Sequence, residues 1–261
     1  MRVPRVFGGA LPAAPGAPYV LDGPEAAHLA RVLRIRPGDR FEAFDGAGGA
    51  GLFRVTGVER RGGVEAVLEA RVARDRELGL AVTVAAAAPK GKRAQRLVEA
   101  LVELGAAELL FWRPARAAAT APREDDVRRW ALEAAKQCGR NRLPAVGPPL
   151  DLAGLAEGSR ACAAAGGLAL VLDTRAARPL RELLAGARPA RALVVVGPEG
   201  GLTADEVAAL RAAGAIPVGL GPAVLRIETA AAAALAGLAL AWGDARPALD
   251  AGEVAPPEAE D

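Results

Sequence analysis

From Leu80 onward the sequence alternates between short apolar runs and amphipathic runs, and this alternation is what most restricts the fold. "LAVTVAAAA" (80–88) reads as a buried strand, and "KRAQRLVEALVELG" (92–105) as a helix with Leu97, Leu101 and Leu104 on one face and Gly105 as its stop. "AELLFW" (107–112) is a strand. "REDDVRRWALEAAKQCGR" (123–140) is a helix with acids in its first turn and Lys136 and Arg140 at its end, which suits the macrodipole. "GLALVLD" (167–173) and "RALVVVG" (191–197) are strands. Thr203 and Glu206 have capping-box spacing for a helix that Gly214 ends. "AIPVGLG" (215–221) is a last strand and "ETAAAAALAGLALAW" (228–242) a last helix. Strands alternating with helices require a parallel sheet covered on both faces.

The first seventy residues follow another rule. "DRFEAFDG" and "GLFRVTGVERR" flank a glycine turn, and "GVEAVLEARVARD" alternates in part, as half-buried strands do. One helix interrupts them, "GPEAAHLARVLRIRPGD", with Pro24 in its first turn and a Pro-Gly stop. The expected organisation is a small β-barrel over residues 1–72, an α/β domain over 73–246, and an acidic, proline-rich tail over 247–261 read as disordered.

Composition removes several chemistries. His28 is the only histidine and Ser159 the only serine, the latter in a glycine- and alanine-rich context read as a loop without a nucleophile elbow. A histidine-rich metal site is excluded, and Cys138 and Cys162 have no ligand spacing, so no metal is expected. No apolar run reaches spanning length, so a soluble cytoplasmic protein with two reduced thiols is expected. Gly46, Gly48 and Gly51 match a dinucleotide-binding glycine pattern. A strand follows them where that motif needs a helix, so they read as a hairpin loop.

Two strand-to-helix turns remain. "VVVGPEGGLTADEV" clears side chains at Gly197, Gly200 and Gly201 and leaves one carboxylate, Glu199. That carboxylate would repel an anion at the helix N-terminus and suits a neutral or cationic ligand. "GLGPAVLRIETA" repeats the device at Gly219 and Gly221, followed by Leu225, Arg226, Glu228 and Thr229. Two consecutive glycine-rich turns, each with a carboxylate, point to one shared pocket.

Taken together, "GPEGGLTADEV" and "LGPAVLRIETA" resemble the signature of the ribosomal RNA small subunit methyltransferase E family, within the SPOUT superfamily. "HLARVLRIRPGD" and "FDGAG" are similar to that family's N-terminal domain. "KRAQRLVEALVELGA" and "RRWALEAAKQCGRNRLPAV" are similar to its middle. The resemblance implies a PUA-like N-terminal barrel for RNA and a SPOUT-type α/β domain with a deep trefoil knot. It implies a homodimer that uses S-adenosylmethionine to methylate N3 of a uridine in 16S rRNA of the small ribosomal subunit, uridine 1498 in the family's numbering. Carried over, the cofactor site comprises Leu172, Thr174, Gly197, Glu199, Gly200, Gly201, Leu220, Gly221, Leu225, Ile227 and Thr229. One departure stands in "FWRPARAAAT", which keeps Arg116 but has Ala115 where the family has an acid.

Methylation at N3 needs the ring proton removed or the uracil anion stabilised. Arg226 is the candidate for the anion, and either Glu228 or Glu199 for the proton. Arg2, Arg5, His28, Arg31 and Arg34, with Arg36 and Phe7, form a candidate RNA face on the small domain, and Arg116 a further contact. Two rivals stay open here: a non-catalytic RNA-binding protein, and a related methyltransferase acting on tRNA or 23S rRNA. Part of the apolar surface of the last helix, Leu235, Leu238, Leu240 and Trp242, is expected to serve the dimer interface.

Overall fold

The structure is a computed structural model; it describes residues 3–59, 62–73, 76–117 and 119–244. Arg2 and the acidic tail lie outside these residues.

Five strands form the N-terminal sheet: β1 (Arg5–Phe7), β2 (Pro18–Leu21), β3 (Arg40–Phe44), β4 (Ala50–Val58) and β5 (Val64–Arg71), in the order β1-β3-β4-β5-β2. All but the β1–β3 pair are antiparallel. The alternation seen in the sequence puts Val6, Tyr19, Leu21, Phe41, Phe53, Val55 and Leu68 into one core. Helix α1 (Gly23–Ala27) and a single π-helical turn (His28–Val32) cap it through Ala26 and Leu29. The Gly46–Gly49 segment connects antiparallel strands β3 and β4, a hairpin loop as expected.

The second sheet holds β6 (Ala81–Ala87), β7 (Glu108–Trp112), β8 (Ala145–Val146), β9 (Leu168–Leu172), β10 (Arg191–Val196) and β11 (Ile216–Val218). Its order is β11-β9-β10-β6-β7-β8 and every pairing is parallel. Helices α2 (Arg93–Glu103), α3 (Glu124–Cys138) and α7 (Ile227–Trp242) cover one face. Helices α4 (Leu152–Ala164) and α6 (Ala204–Ala212) cover the other, and the short α5 (Leu180–Leu184) packs against α7. Both faces are therefore apolar, as an all-parallel sheet requires.

Two expectations change. Ser159 is not in a loop: it lies inside α4, fully buried, and its hydroxyl donates to the Leu155 carbonyl one turn back at 2.8 Å. Leu235, Leu238 and Trp242 are buried in the protomer's own core, so of the four residues expected at a dimer surface only Leu240 is exposed, at 89%. The two domains also share apolar contacts, because Phe44 and Ala50 of the small sheet belong to the core of the large one.

The junction between the domains is polar as well as apolar. The hairpin loop is stitched to the segment after α3: Leu143 N donates to Gly46 O at 2.9 Å and Gly48 N to Asn141 O at 3.2 Å. Lys136 of α3 reaches Glu25 of α1 at 2.8 Å. Burial works against the Lys136 charge, but Glu133 and Glu25 outweigh it and hold the ammonium above the usual lysine range. Arg5 also belongs here. It pairs with Glu42, donates to Arg140 O at 2.8 Å and Asn141 Oδ1 at 2.7 Å, and lies over the Phe44 ring at 4.4 Å.

Candidate functional site

Strands β9, β10 and β11 end in one row. Leu172, Val196 and Val218 are in register across the three neighbouring strands, so the chain leaves the sheet three times along one edge. The segments that follow wall a cavity of about 260 Å³. Open α/β sheets place their ligand crevices at this C-terminal edge.

The glycines of the first wall do two different jobs. A Cβ at Gly197 would come within 2.8 Å of Leu202, so that glycine serves the packing of its own turn. A Cβ at Gly200 would meet only Arg116, at 3.8 Å, and one at Gly201 nothing within 4 Å. Gly201 also needs its left-handed backbone, with φ of 71°. At the second wall a Cβ at Gly221 likewise faces open space. The missing side chains at 200, 201 and 221 therefore leave backbone open to the cavity.

The walls are braced from behind. Asp173 accepts from Arg175 N and Nε at 3.0 and 3.1 Å, and Arg175 donates to Leu202 O at 3.1 Å, tying the β9 exit to the β10 exit. Trp112, buried at the end of β7, donates to Val196 O at 2.9 Å. Thr203 and Glu206 form the capping box at the start of α6. Glu206 is 4% exposed, and its second oxygen accepts from Ala115 N at 2.7 Å, which pins the loop carrying Arg116. Arg116 then donates to Gly200 O at 3.1 Å. Its neighbours and this bond place Arg116 in the cavity wall.

Leu172, Thr174, Gly197, Glu199, Gly200, Gly201, Leu220, Gly221, Leu225 and Ile227 all line the cavity. Thr229 does not: within the first turn of α7, it lines a shallow groove between α2 and α7 with Glu228, Arg96 and Ala100. Arg226 is the exposed N-cap residue of α7, between the wall residues Leu225 and Ile227. Glu228 lines that groove and not the cavity; one of its carboxylate oxygens is buried without a hydrogen bond, and Arg93 lies 3.9 Å from the other. Arg93 also pairs with Glu199 at 2.8 Å. The motifs do not mark Arg93, Asp173 or Arg175 as site residues. Arg93 carries only the signal of the basic run "PKGKRAQR", and Asp173 and Arg175 that of lying within three residues of the end of β9.

The candidate RNA face divides. His28, Arg31, Arg34 and Arg36 are exposed on and after the π-helical turn. Arg5 does not share that face, because its guanidinium is consumed at the domain junction. Phe7 packs edge-on against Phe44 and is likewise turned inward.

Residues 76–239 match the family model described as RNA methyltransferase domain, and residues 21–69 the one described as RNA methyltransferase PUA domain. A curated ribosomal RNA small subunit methyltransferase E of Mycobacterium bovis is 40% identical over 229 residues, 84% of this chain and 85% of that protein. The chain belongs to the ribosomal RNA small subunit methyltransferase E family. A member from Synechocystis is 36% identical, spanning 80% of this chain and 68% of the relative. A crystal structure of the Neisseria gonorrhoeae member bound to S-adenosylmethionine superposes with a TM-score of 0.83 at 29% identity, covering 94% of this chain and all of that one. That structure thus shares the fold described above over nearly the whole chain. Among the described residues no helix is long and apolar enough to cross a membrane, and no cluster of side chains could hold a metal ion.

Proposed function

We propose that this chain methylates N3 of a uridine in 16S rRNA, uridine 1498 in the family's numbering, within the small ribosomal subunit. The observation that carries the reading is the cavity at the three in-register strand ends, with backbone opened at Gly200, Gly201 and Gly221. Its lining suits S-adenosylmethionine: Leu172, Leu220, Leu225 and Ile227 offer apolar surface to an adenine, and backbone amides offer hydrogen bonds. Glu199 is compatible with a cation nearby. When bound, S-adenosylmethionine supplies an electrophilic methyl group on a sulfonium. In this reading the loops at 172–174, 197–201 and 220–229 form the trefoil knot.

The rest of the work falls to side chains. N3 of uracil must lose its proton before it can act as a nucleophile, and the negative charge then spreads over the ring oxygens. Arg226, exposed between two residues of the cavity wall, is the side chain we assign to that charge. Glu199 faces the cavity whereas Glu228 faces α2, so Glu199 is the better placed proton acceptor. Arg93, paired with Glu199, orients it. The target base must be unpaired or turned out to reach this depth.

The domain division falls near residue 72, with residues 1–72 serving RNA through His28, Arg31 and Arg34. The enzyme works in the cytoplasm as a homodimer. The shallow groove of small residues between α2 and α7, together with the exposed Leu240, supports that assembly. A monomer in sedimentation at micromolar concentration would remove it.

The deciding experiment incubates the purified chain and S-adenosylmethionine with small subunits from a strain lacking this methylation, then maps the 16S rRNA by mass spectrometry. One added methyl on a uridine base, at N3, is expected. Methylation only of tRNA or 23S rRNA, or none at all, would overturn the proposal.

A further inference from the structure

The segment after α1 is built to hold two apolar side chains in water. Leu29 and Ile35 are its anchors, 0% and 7% exposed in the barrel core. Between them Val32 is 64% exposed and Leu33 47%. The π-helical turn is closed by Leu33 N donating to His28 O at 3.1 Å, and Ile35 N returns to Leu29 O at 3.1 Å. Arg34 has φ of 54°, the only positive value at a non-glycine residue among those described. A left-handed backbone disfavours an ordinary side chain and persists only where its surroundings impose it. Beyond it, Arg36 N is held by Asp39 Oδ2 at 2.7 Å. Single exposed aliphatics are ordinary. Here two neighbours are lifted out together by a turn anchored on both sides.

Within the segment itself the charge is of one sign, the nearest acid in sequence being Asp39, which holds Arg36 N. His28, Arg31, Arg34 and Arg36 are all exposed, and no acidic residue occurs from His28 to Arg36. Guanidinium groups suit phosphates, and single-stranded RNA exposes unstacked bases whose faces are apolar. Apolar wedges set among cationic side chains are a known way to engage an unstacked step in a nucleic acid. We infer that Val32 and Leu33 form an apolar wedge that packs against an unstacked nucleotide of the rRNA, while Arg31, Arg34 and Arg36 hold the flanking phosphates. The inference rests on the reading of this domain as the RNA-holding one.

The two kinds of contact respond differently to salt. An ion pair with phosphate releases counterions and steepens the salt dependence of binding, whereas an apolar contact releases none. The test is filter binding of the full chain to naked 16S rRNA and to small subunits at several salt concentrations. Leu33→Ala is expected to weaken both by roughly tenfold, equal to about 1.4 kcal/mol, with an unchanged salt slope. Arg31→Ala with Arg34→Ala is expected to weaken binding and flatten the slope. Leu33→Met should restore parental affinity; Val32→Ser, at the more exposed position, repeats the test should Leu33→Ala melt early. Parental binding by both wedge variants, with the arginine variant impaired, overturns the wedge and leaves the RNA reading standing. Parental binding by all variants overturns both. A photocross-linker at position 33 that joins a ribosomal protein and no rRNA on intact subunits assigns the wedge to a protein partner and overturns the inference.

Discussion

Replacing Glu206 with alanine should loosen the cavity wall from behind. Its carboxylate accepts from Thr203 N at 2.8 Å and from Ala115 N at 2.7 Å, and it is almost fully buried. Removing it leaves two partly buried amides without acceptors. A buried unsatisfied group costs about 1–3 kcal/mol, and partial access to water puts each amide toward the lower end, so the sum is about 2–4 kcal/mol. For a chain of this size each kcal/mol lowers Tm by about 2–4 °C, which gives a fall of roughly 5–15 °C. Glu206→Gln keeps one acceptor oxygen and should lose about half as much. Arg116 rides on the released loop, so S-adenosylmethionine affinity should fall by roughly three- to tenfold in the folded variant. Calorimetric melting and titration of both variants decide the matter. If alanine and glutamine cost the same, the two-acceptor account is wrong. If stability falls while affinity stays at the parental value, Glu206 caps a helix and does not brace the site.

Gly200→Val should fold, because only the flexible Arg116 side chain lies near the new Cβ, yet it should abolish cofactor binding measured by titration calorimetry. Unchanged affinity in the folded variant would show that this turn does not hold the ligand. Arg226→Ala should leave rRNA affinity near the parental value and lower single-turnover methylation about a hundredfold or more, as for loss of an oxyanion donor; retained turnover removes Arg226 from the chemistry. Burial pushes the Cys162 thiol above its ordinary value, so its thiolate is scarce at neutral pH and only rises as the pH approaches that raised value. In the native protein iodoacetamide should therefore modify the partly exposed Cys138 well before Cys162, and equal rates by peptide mapping would refute this.

What could be read from the letters follows their range. Strands β6, β7, β9 and β10 are short apolar runs, α2 and α3 are amphipathic, α6 carries a capping box and α7 is a long alanine- and leucine-rich run, and the glycines at 200, 201 and 221 mark backbone left open. Helix α4 escaped because its buried stripe is Leu155, Ala156, Ser159 and Cys162, too weakly apolar to separate from a loop; Ser159 tolerates burial by bonding within its own helix. Strand β8 is two residues long and exists by pairing with β7. Arg5 looked like a surface cation because its partners Glu42 and Asn141 lie 37 and 136 residues away. The same distance hid Arg93 behind Glu199, since their pairing appears only once α2 packs beside the β10 exit.

The stitched junction between the domains bears on how a substrate is chosen. Bonds from Arg5, Lys136 and the Gly46–Gly48 loop hold the two bodies at one span. If each body contacts RNA, the second contact forms at an effective concentration set by whether the RNA bridges that span. A short strand carrying the target uridine can use only one body and gains no avidity. A folded rRNA of matching shape uses both. Discrimination would then reside in the substrate's architecture more than in its local base sequence, and a flexible linker inserted at the junction would blunt it without altering a single contact residue.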